Sequence, residues 1–578
     1  VVDPNALSTA GLVALDWWYP SDDGRLLAYG LSEGGTELST LHVLDIERGE
    51  HLSRDRISHT RAASIAWLPD GSGFYYTRYP EPGSVPRGEE VYHRHVFVHR
   101  LGDDWRSDAE VFGAGRALED WPNVELSRSG RWLSIEVEQG WARSELYCLD
   151  LSQTEPRLIP IHVGLDAIAH AVFAGDRLFV HTNAGAPNYA LYEVDPQQPQ
   201  RDRWRLVLAE PHDRVLDAVD AASGRLVAHL LHNATSEVRL YALDGALQGE
   251  VRLPSLGSVT GIGGQWEGER IALGFTSFVQ PAAVYRVEPS DGACHVLAQA
   301  EAPPGFDPSK YTVRQEWYPS RDGTRVSMFL VSRADTPSGP RPTLLTGYGG
   351  FNVSRTPAFV AALPLWLDAG GLYALPNLRG GGEYGEGWHR AGMLAKKQNV
   401  FDDFIAAAEW LIDTRTTRSD LLAISGGSNG GLLVGAALTQ RPDLFKAIVC
   451  QVPLLDMLRY HHLRIARLWI PEYGSAEDPQ QFQWLYAYSP YHRVRQGERY
   501  PATFLLTAEG DSRVDPMHAR KMAARLQAAT ASDAPILLRV ETAAGHGQGK
   551  PRGKQVEEAT DIWSFLFWQL GVSPRSAA

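Results

Sequence analysis

The chain has 578 residues, too many for a single hydrophobic core, so at least two domains are expected. With 44% hydrophobic and 21% charged residues it has the composition of an ordinary globular protein, and its formal net charge of −14 argues against nucleic acid or an anionic membrane as a partner. No run approaches 18 apolar residues, which excludes a membrane-spanning helix, and Cys148, Cys294 and Cys450 are too few and too far apart for a disulfide framework.

The chain opens Val1-Val2-Asp3-Pro4, with neither an initiating methionine nor a signal-like apolar core, and reads as processed or shortened at its start. The first 300 residues then repeat. Turns at Gly24, Gly71, Gly130, Gly175, Gly224 and Gly268 are spaced by 44 to 59 residues, and each is followed by a β-rich run such as that beginning at Arg25, Phe74, Trp132 or Leu178. A second set of strands, beginning at Leu41, Val96, Leu146, Leu191, Leu240 and Val284, keeps the same period. Short strands and Gly turns repeating every 40 to 50 residues predict propeller blades, each a small sheet that buries its faces by stacking on its neighbours. Six blades are counted, and their expected role is scaffold, gate or docking surface. The acidic pair Glu89-Glu90 reads as a solvated loop.

Ala302-Pro-Pro-Gly-Phe-Asp-Pro308 breaks the rhythm and is expected to link a propeller domain at 1–302 to a second domain at 303–578. In the second domain apolar strand patterns alternate with helical ones, the pattern of a parallel α/β sheet, and an α/β hydrolase is the fold expected there. Ser428 lies in Ile-Ser-Gly-Gly-Ser-Asn-Gly-Gly, between an apolar run ending at Ile424 and a helical pattern starting at Leu432. That context makes Gly-x-Ser-x-Gly a nucleophile elbow, a strained strand-to-helix turn that holds the hydroxyl clear of the backbone. Late strands near 503–507 and 536–540 are followed by Asp511 and His546, in the order Ser, acid, His that α/β hydrolases use. His546 is expected to take the Ser428 proton, Asp511 to orient the imidazole, and the Asn429 N–H to donate to the oxyanion. No metal-ligand spacing occurs among the 19 histidines; His461 and His462 are adjacent, and on a helix adjacent side chains diverge, so no metal site is expected.

The blocks Thr346-Gly-Tyr-Gly-Gly-Phe-Asn352, Asn377-Leu-Arg-Gly-Gly-Gly-Glu-Tyr-Gly385, Lys397-Gln-Asn-Val-Phe-Asp-Asp-Phe404, Gly426-Gly-Ser-Asn-Gly-Gly431, Trp469-Ile-Pro-Glu-Tyr-Gly474 and Gly545-His-Gly-Gln-Gly-Lys550 resemble the signature blocks of the prolyl oligopeptidase family. The resemblance implies the triad Ser428, Asp511 and His546, with the Tyr348 hydroxyl as second oxyanion donor. It places Phe351, Leu454, Ile465, Trp469, Tyr473 and Val514 around a pocket for a proline ring, and makes Arg513 the donor to a substrate carbonyl. Arg379–Gly382 and Phe401–Phe404 read as a structural turn and a helix start. The family also carries a leading segment and a seventh blade, so the N-terminus is expected to be truncated by roughly that much.

The expected activity is a serine endopeptidase that cleaves short proline-containing peptides after proline through an acyl-enzyme, as a monomer and with no metal or organic cofactor. The rivals are a related acylaminoacyl- or dipeptidyl-type peptidase or esterase, and an inactive propeller-based binding fragment. A cytoplasmic location is expected, with a periplasmic or secreted one as the alternative.

Overall fold

The computed structural model describes residues 1–8, 11–547 and 550–573. Six four-stranded antiparallel sheets follow one another from Val13 to Gln299. In the first, Val13–Pro20, Leu26–Glu33, Thr40–Asp45 and Glu50–His51 lie in sequence order, and the other five repeat that meander. The β-rich runs after each Gly turn are the second strands of the blades, and the echoing set are the third strands. The first three strands carry the apolar residues that pack blade on blade, as Trp17, Ala28 and Val43 of the first blade do against Ile65, Trp67 and Phe74 of the second. The last blade meets the first where the Gln265 side-chain amide donates to the Asp22 carbonyl, and Arg128 of the third blade bridges Asp22 and Glu267.

Past the last blade, Tyr311–Pro319 begins an eight-stranded sheet. In spatial order its strands are Tyr311–Pro319, Arg325–Arg333, Leu372–Pro376, Thr343–Thr346, Leu422–Gly427, Ala447–Gln451, Ala502–Ala508 and Ile536–Glu541. The first two pairings are antiparallel and all later ones parallel. Parallel strands need crossovers, so both faces of the sheet are covered by helices, and strands such as Leu422–Gly427 read as continuous apolar runs. The helices Gln398–Asp413 and Asn429–Gln440 bury Phe401, Phe404, Leu433 and Ala437 on one face of the sheet, while Arg552–Leu570 covers the other with Phe565, Leu566 and Leu570. Arg379 and Asp403 form a buried ion pair at 2.6 Å that ties the Arg379 turn to the Gln398–Asp413 helix, a structural role for both blocks. No helix among the described residues is long and apolar enough to cross a membrane.

Candidate active site

Ser428 sits between the strand Leu422–Gly427 and the helix Asn429–Gln440, at φ 58° and ψ −119°. A side chain at positive φ is strained, and here the surroundings hold it: the Ser428 N–H donates to the Gln451 carbonyl at 2.9 Å, while its own carbonyl accepts from Gly431 at 2.8 Å. Gly426 has no room for a side chain, since a Cβ there would lie 2.1 Å from the Gly430 carbonyl. The turn therefore needs its glycines, and the serine is left facing a cavity.

Asp511 follows the strand Ala502–Ala508 and is fully buried. Its Oδ1 accepts the backbone N–H groups of Arg513 at 2.9 Å and Val514 at 2.8 Å, and its Oδ2 accepts from His546 Nδ1 at 2.7 Å. One carboxylate oxygen thus fixes the loop, and the other fixes the imidazole tautomer that leaves Nε2 as the proton acceptor. His546 follows the strand Ile536–Glu541 and, like Ser428, lines a cavity of about 920 Å³ between the two domains.

Tyr348 lines the same cavity as Ser428, and burial, aided by the charge of Glu472, raises its phenol above the ordinary range. It therefore keeps its proton at neutral and mildly alkaline pH. Asn429 plays two parts. Its N–H stands at the start of the helix after the nucleophile, and its side chain ties the neighbouring loops together, with Nδ2 donating to the Tyr348 carbonyl at 2.6 Å and Oδ1 accepting from the Tyr473 hydroxyl at 2.7 Å.

Of the residues placed in the first pocket, Phe351, Leu454, Ile465 and Trp469 line the cavity, as does Arg513. Tyr473 and Val514 lie one layer behind, within the same apolar cluster, and Tyr473 packs edge-on against Phe351 with ring centroids 5.3 Å apart. Trp469 stands edge-on to Phe351 at 6.5 Å. Arg513 Nε donates to Glu37 Oε2 at 2.8 Å, and the same oxygen accepts Arg61 Nη2 at 2.8 Å. The salt-bridge role and a position on the cavity wall thus coexist in Arg513.

Sequence reasoning missed the propeller's share of this wall. Trp141 packs on Phe351 at 4.6 Å, and Trp17, Trp121, Glu37 and Arg61 also line the cavity. Nothing in a single blade's pattern marks these residues, because the wall exists only once the domains meet. Their meeting depends on two glycines beside the histidine: a Cβ on Gly545 would lie 1.7 Å from the Gly35 carbonyl, and one on Gly35 would lie 2.3 Å from the Gly545 nitrogen.

A buried chain of charges was also missed. Lys397 Nζ donates to the Gly349 carbonyl at 2.9 Å, next to Tyr348, and pairs with Glu472 Oε1 at 3.2 Å. Glu472 Oε2 meets His389 Nε2 at 3.0 Å, and His389 Nδ1 meets Glu386 Oε2 at 3.2 Å. Arg390 then links Glu386 at 2.6 Å to Asp166 of the propeller at 2.6 Å. Burial alone would raise the Glu472 carboxyl, but Lys397 and His389 on either side hold it below the usual range. The chain runs from the domain interface to the backbone of the oxyanion loop. Lys397 belongs to one of the quoted sequence blocks, but no local pattern reveals that it is buried.

One sequence expectation fails locally. The rings of His461 and His462 do not diverge; in the 3₁₀ turn Tyr460–His462 their centroids lie 4.0 Å apart.

Residues 1–300 match the N-terminal β-propeller domain of prolyl oligopeptidase, and residues 357–573 match the prolyl oligopeptidase family. A prolyl endopeptidase of Elizabethkingia miricola is 36% identical over 576 residues, spanning 99% of this chain and 81% of that one. A prolyl endopeptidase of Dictyostelium discoideum is 31% identical over 630 residues, at 99% and 82% coverage. Among solved structures, one from a study of two prolyl endopeptidases and their inter-domain dynamics superposes with a TM-score of 0.95 at 42% identity, covering 99% of this chain and 84% of that one. Prolyl oligopeptidase B of Galerina marginata, bound to a 35mer hydrolysis and macrocyclization substrate, superposes with a TM-score of 0.92 at 28% identity, with 99% and 82% coverage.

Proposed function

This chain belongs to the prolyl oligopeptidase family and is a serine peptidase; on that premise we propose that it is an endopeptidase that cleaves short peptides on the carboxyl side of proline. The observation that carries the reading is the meeting of Ser428, His546 and an aromatic slot in one cavity between the domains.

In this reading the Ser428 hydroxyl attacks the carbonyl carbon of the proline residue as His546 Nε2 takes its proton. Asp511 keeps the imidazole oriented and stabilises its cation. The oxyanion that forms lies between the Tyr348 hydroxyl and the Asn429 N–H, and the loop and helix that carry them are tied together before substrate arrives by the Asn429 Nδ2 bond to the Tyr348 carbonyl. His546 then returns the proton to the leaving amine, and an acyl-enzyme remains until water, activated by the same histidine, releases it. The proline ring lies against Trp469 and Phe351, between Leu454 and Ile465, four uncharged side chains of the hydrolase domain, while the carboxylates of the cavity, among them Glu37 and Asp120, come from the propeller. Arg513 is placed to donate to a carbonyl of the residue before proline.

The size of the cavity supports a peptide substrate of a few residues, with the propeller wall excluding folded proteins. Three unpaired cysteines fit a reducing compartment, and we place the enzyme in the cytoplasm as a monomer. A panel of short chromogenic peptides with Pro, Ala, Arg or Phe before the scissile bond tests the specificity. We expect Pro to exceed Ala in kcat/KM by about 10- to 200-fold, the range a shaped apolar pocket supplies. A higher rate on Arg or Phe than on Pro would reject the proline reading while leaving the serine peptidase in place.

A further inference from the structure

The segment that carries the Ile465 and Trp469 wall of the pocket begins at a 3₁₀ turn, Tyr460–His462, and ends before the helix Pro479–Tyr488. Its two ends are brought together by Tyr460, whose hydroxyl donates to the Gly474 carbonyl at 2.6 Å and whose ring packs on Tyr473 at 5.4 Å. Close by, three side chains outside the catalytic machinery converge. His461 Nε2 lies 3.8 Å from Glu477 Oε1, and His462 Nε2 lies 3.7 Å from the same oxygen. One donor atom from each of the three residues lies within 4.8 Å of the others.

A second observation concerns His461 alone. Its side chain is only 4% exposed, yet neither ring nitrogen has a hydrogen-bond partner. A buried imidazole with neither nitrogen satisfied is uncommon, because the desolvated ring has lost its hydrogen bonds to water and gained none in return. His462 and Glu477 are open to solvent, at 57% and 71% side-chain exposure, which gives an ion a way in and leaves a position for water.

We propose that His461, His462 and Glu477 form a binding site for a divalent transition-metal ion of the zinc type, clamping together the two ends of the segment that carries the first pocket. The donor set selects the ion. Two imidazoles and one carboxylate suit Zn²⁺, with Ni²⁺ and Cu²⁺ as competitors, whereas Mg²⁺ and Ca²⁺ require all-oxygen shells. The spacing fits as well. Around a tetrahedral Zn²⁺ with bonds of about 2.0–2.2 Å, ligand atoms stand roughly 3.3–3.6 Å apart. The observed 3.7 and 3.8 Å separations from Glu477 are close to this, and the set, whose atoms all lie within 4.8 Å of one another, includes two exposed side chains that can close on an ion. An ion here would satisfy His461 and cross-link residue 461 to residue 477 around the Trp469 wall.

The test titrates the metal-free full chain with ZnCl₂ by calorimetry and follows its melting temperature with and without the metal. His461 is buried, so the informative variants are the exposed His462→Ala and Glu477→Gln, whose folding is checked by turnover in metal-free buffer. We expect wild type to bind Zn²⁺ at this site with a raised melting temperature. Each variant should weaken that binding by at least about tenfold and lose the thermal shift, the scale on which losing a metal-site interaction is felt. Mg²⁺ should produce no shift. If wild type binds no Zn²⁺ at micromolar concentrations, or if either variant binds it within tenfold of wild type, for instance through the catalytic imidazole, the proposal is wrong.

Discussion

At the scale of single residues, the site depends on groups held in place before any substrate binds. Ser428 stands at positive φ between a glycine-lined strand end and a buried helix, and Asp511 spends one oxygen on its own loop and the other on His546. Tyr348 is the least conventional member of the proposed site, a phenol in the role that α/β hydrolases give to a backbone N–H. If it donates to the oxyanion, Tyr348→Phe should lower kcat by about 10²–10³-fold with little change in KM, as removing one such donor does elsewhere. A steady-state comparison checks this, and a loss below about threefold would remove Tyr348 from the oxyanion site. Gly545 makes a different kind of contribution, since its missing side chain lets the propeller turn at Gly35 rest on the His546 loop. Gly545→Ala must push one of them aside, and a displacement near 1 Å at the base is expected to cost about 10²-fold in kcat/KM while the chain still folds. Circular dichroism and turnover measured on the same sample separate these outcomes.

At the scale of elements, the buried charges behind the oxyanion loop do work that no single strand or helix accounts for. Lys397 opens the helix Gln398–Asp413, Glu472 lies in the short helix Ile470–Tyr473, and the carbonyl they secure is Gly349 of the loop between them and Ser428. Lys397→Met leaves Glu472 with a buried charge that only His389 opposes, and should destabilise the protein by about 3–5 kcal/mol. Urea denaturation measures that loss; a change under about 1 kcal/mol would show that the pair has no structural weight. This scale also shows where the sequence was legible. The second and third strands of each blade were visible because they alternate apolar and polar residues around a Gly turn. The fourth strands were not: Glu50–His51, Leu247–Glu250 and Cys294–Gln299 are outer edges that bury almost nothing, so no pattern marks them. Ser428, Asp511 and His546 were readable because each follows an apolar strand of a parallel sheet, where chain order and chemistry coincide. The ring contact of His461 and His462 was not, because it depends on how the folded segment packs, which adjacency in sequence does not reveal.

At the scale of the whole molecule, each domain buries a histidine between two carboxylates. In the propeller His99 lies 3.0 Å from both Asp55 and Asp108; in the hydrolase domain His389 lies between Glu386 and Glu472. Burial alone would lower both, but the hydrogen bonds and charges of their partners raise each to about 9. An unfolded imidazole titrates near about 6.5, so the folded state binds more protons between there and 9. The stabilisation from these pairs is therefore complete below about pH 6.5 and is lost as pH rises through 9. The melting temperature should fall between those limits, and His389→Gln should flatten that fall; a midpoint that rises with pH would contradict the linkage. The cavity is likewise a property of the whole chain. Trp141, Glu37 and Arg61 come from blades whose sequence announces only a scaffold, and they reach Phe351 and Arg513 because the interface brings them there. The serine at the bottom of that cavity is the centre of the account. Labelling the intact protein with a fluorophosphonate, mapping the adduct by mass spectrometry and following turnover of a Gly-Pro chromogenic peptide tests it directly. One adduct per chain on Ser428, with turnover lost in proportion and below about one part in 10³ in Ser428→Ala, is the predicted result. An adduct on another residue, or a Ser428→Ala chain that still turns over, would contradict it.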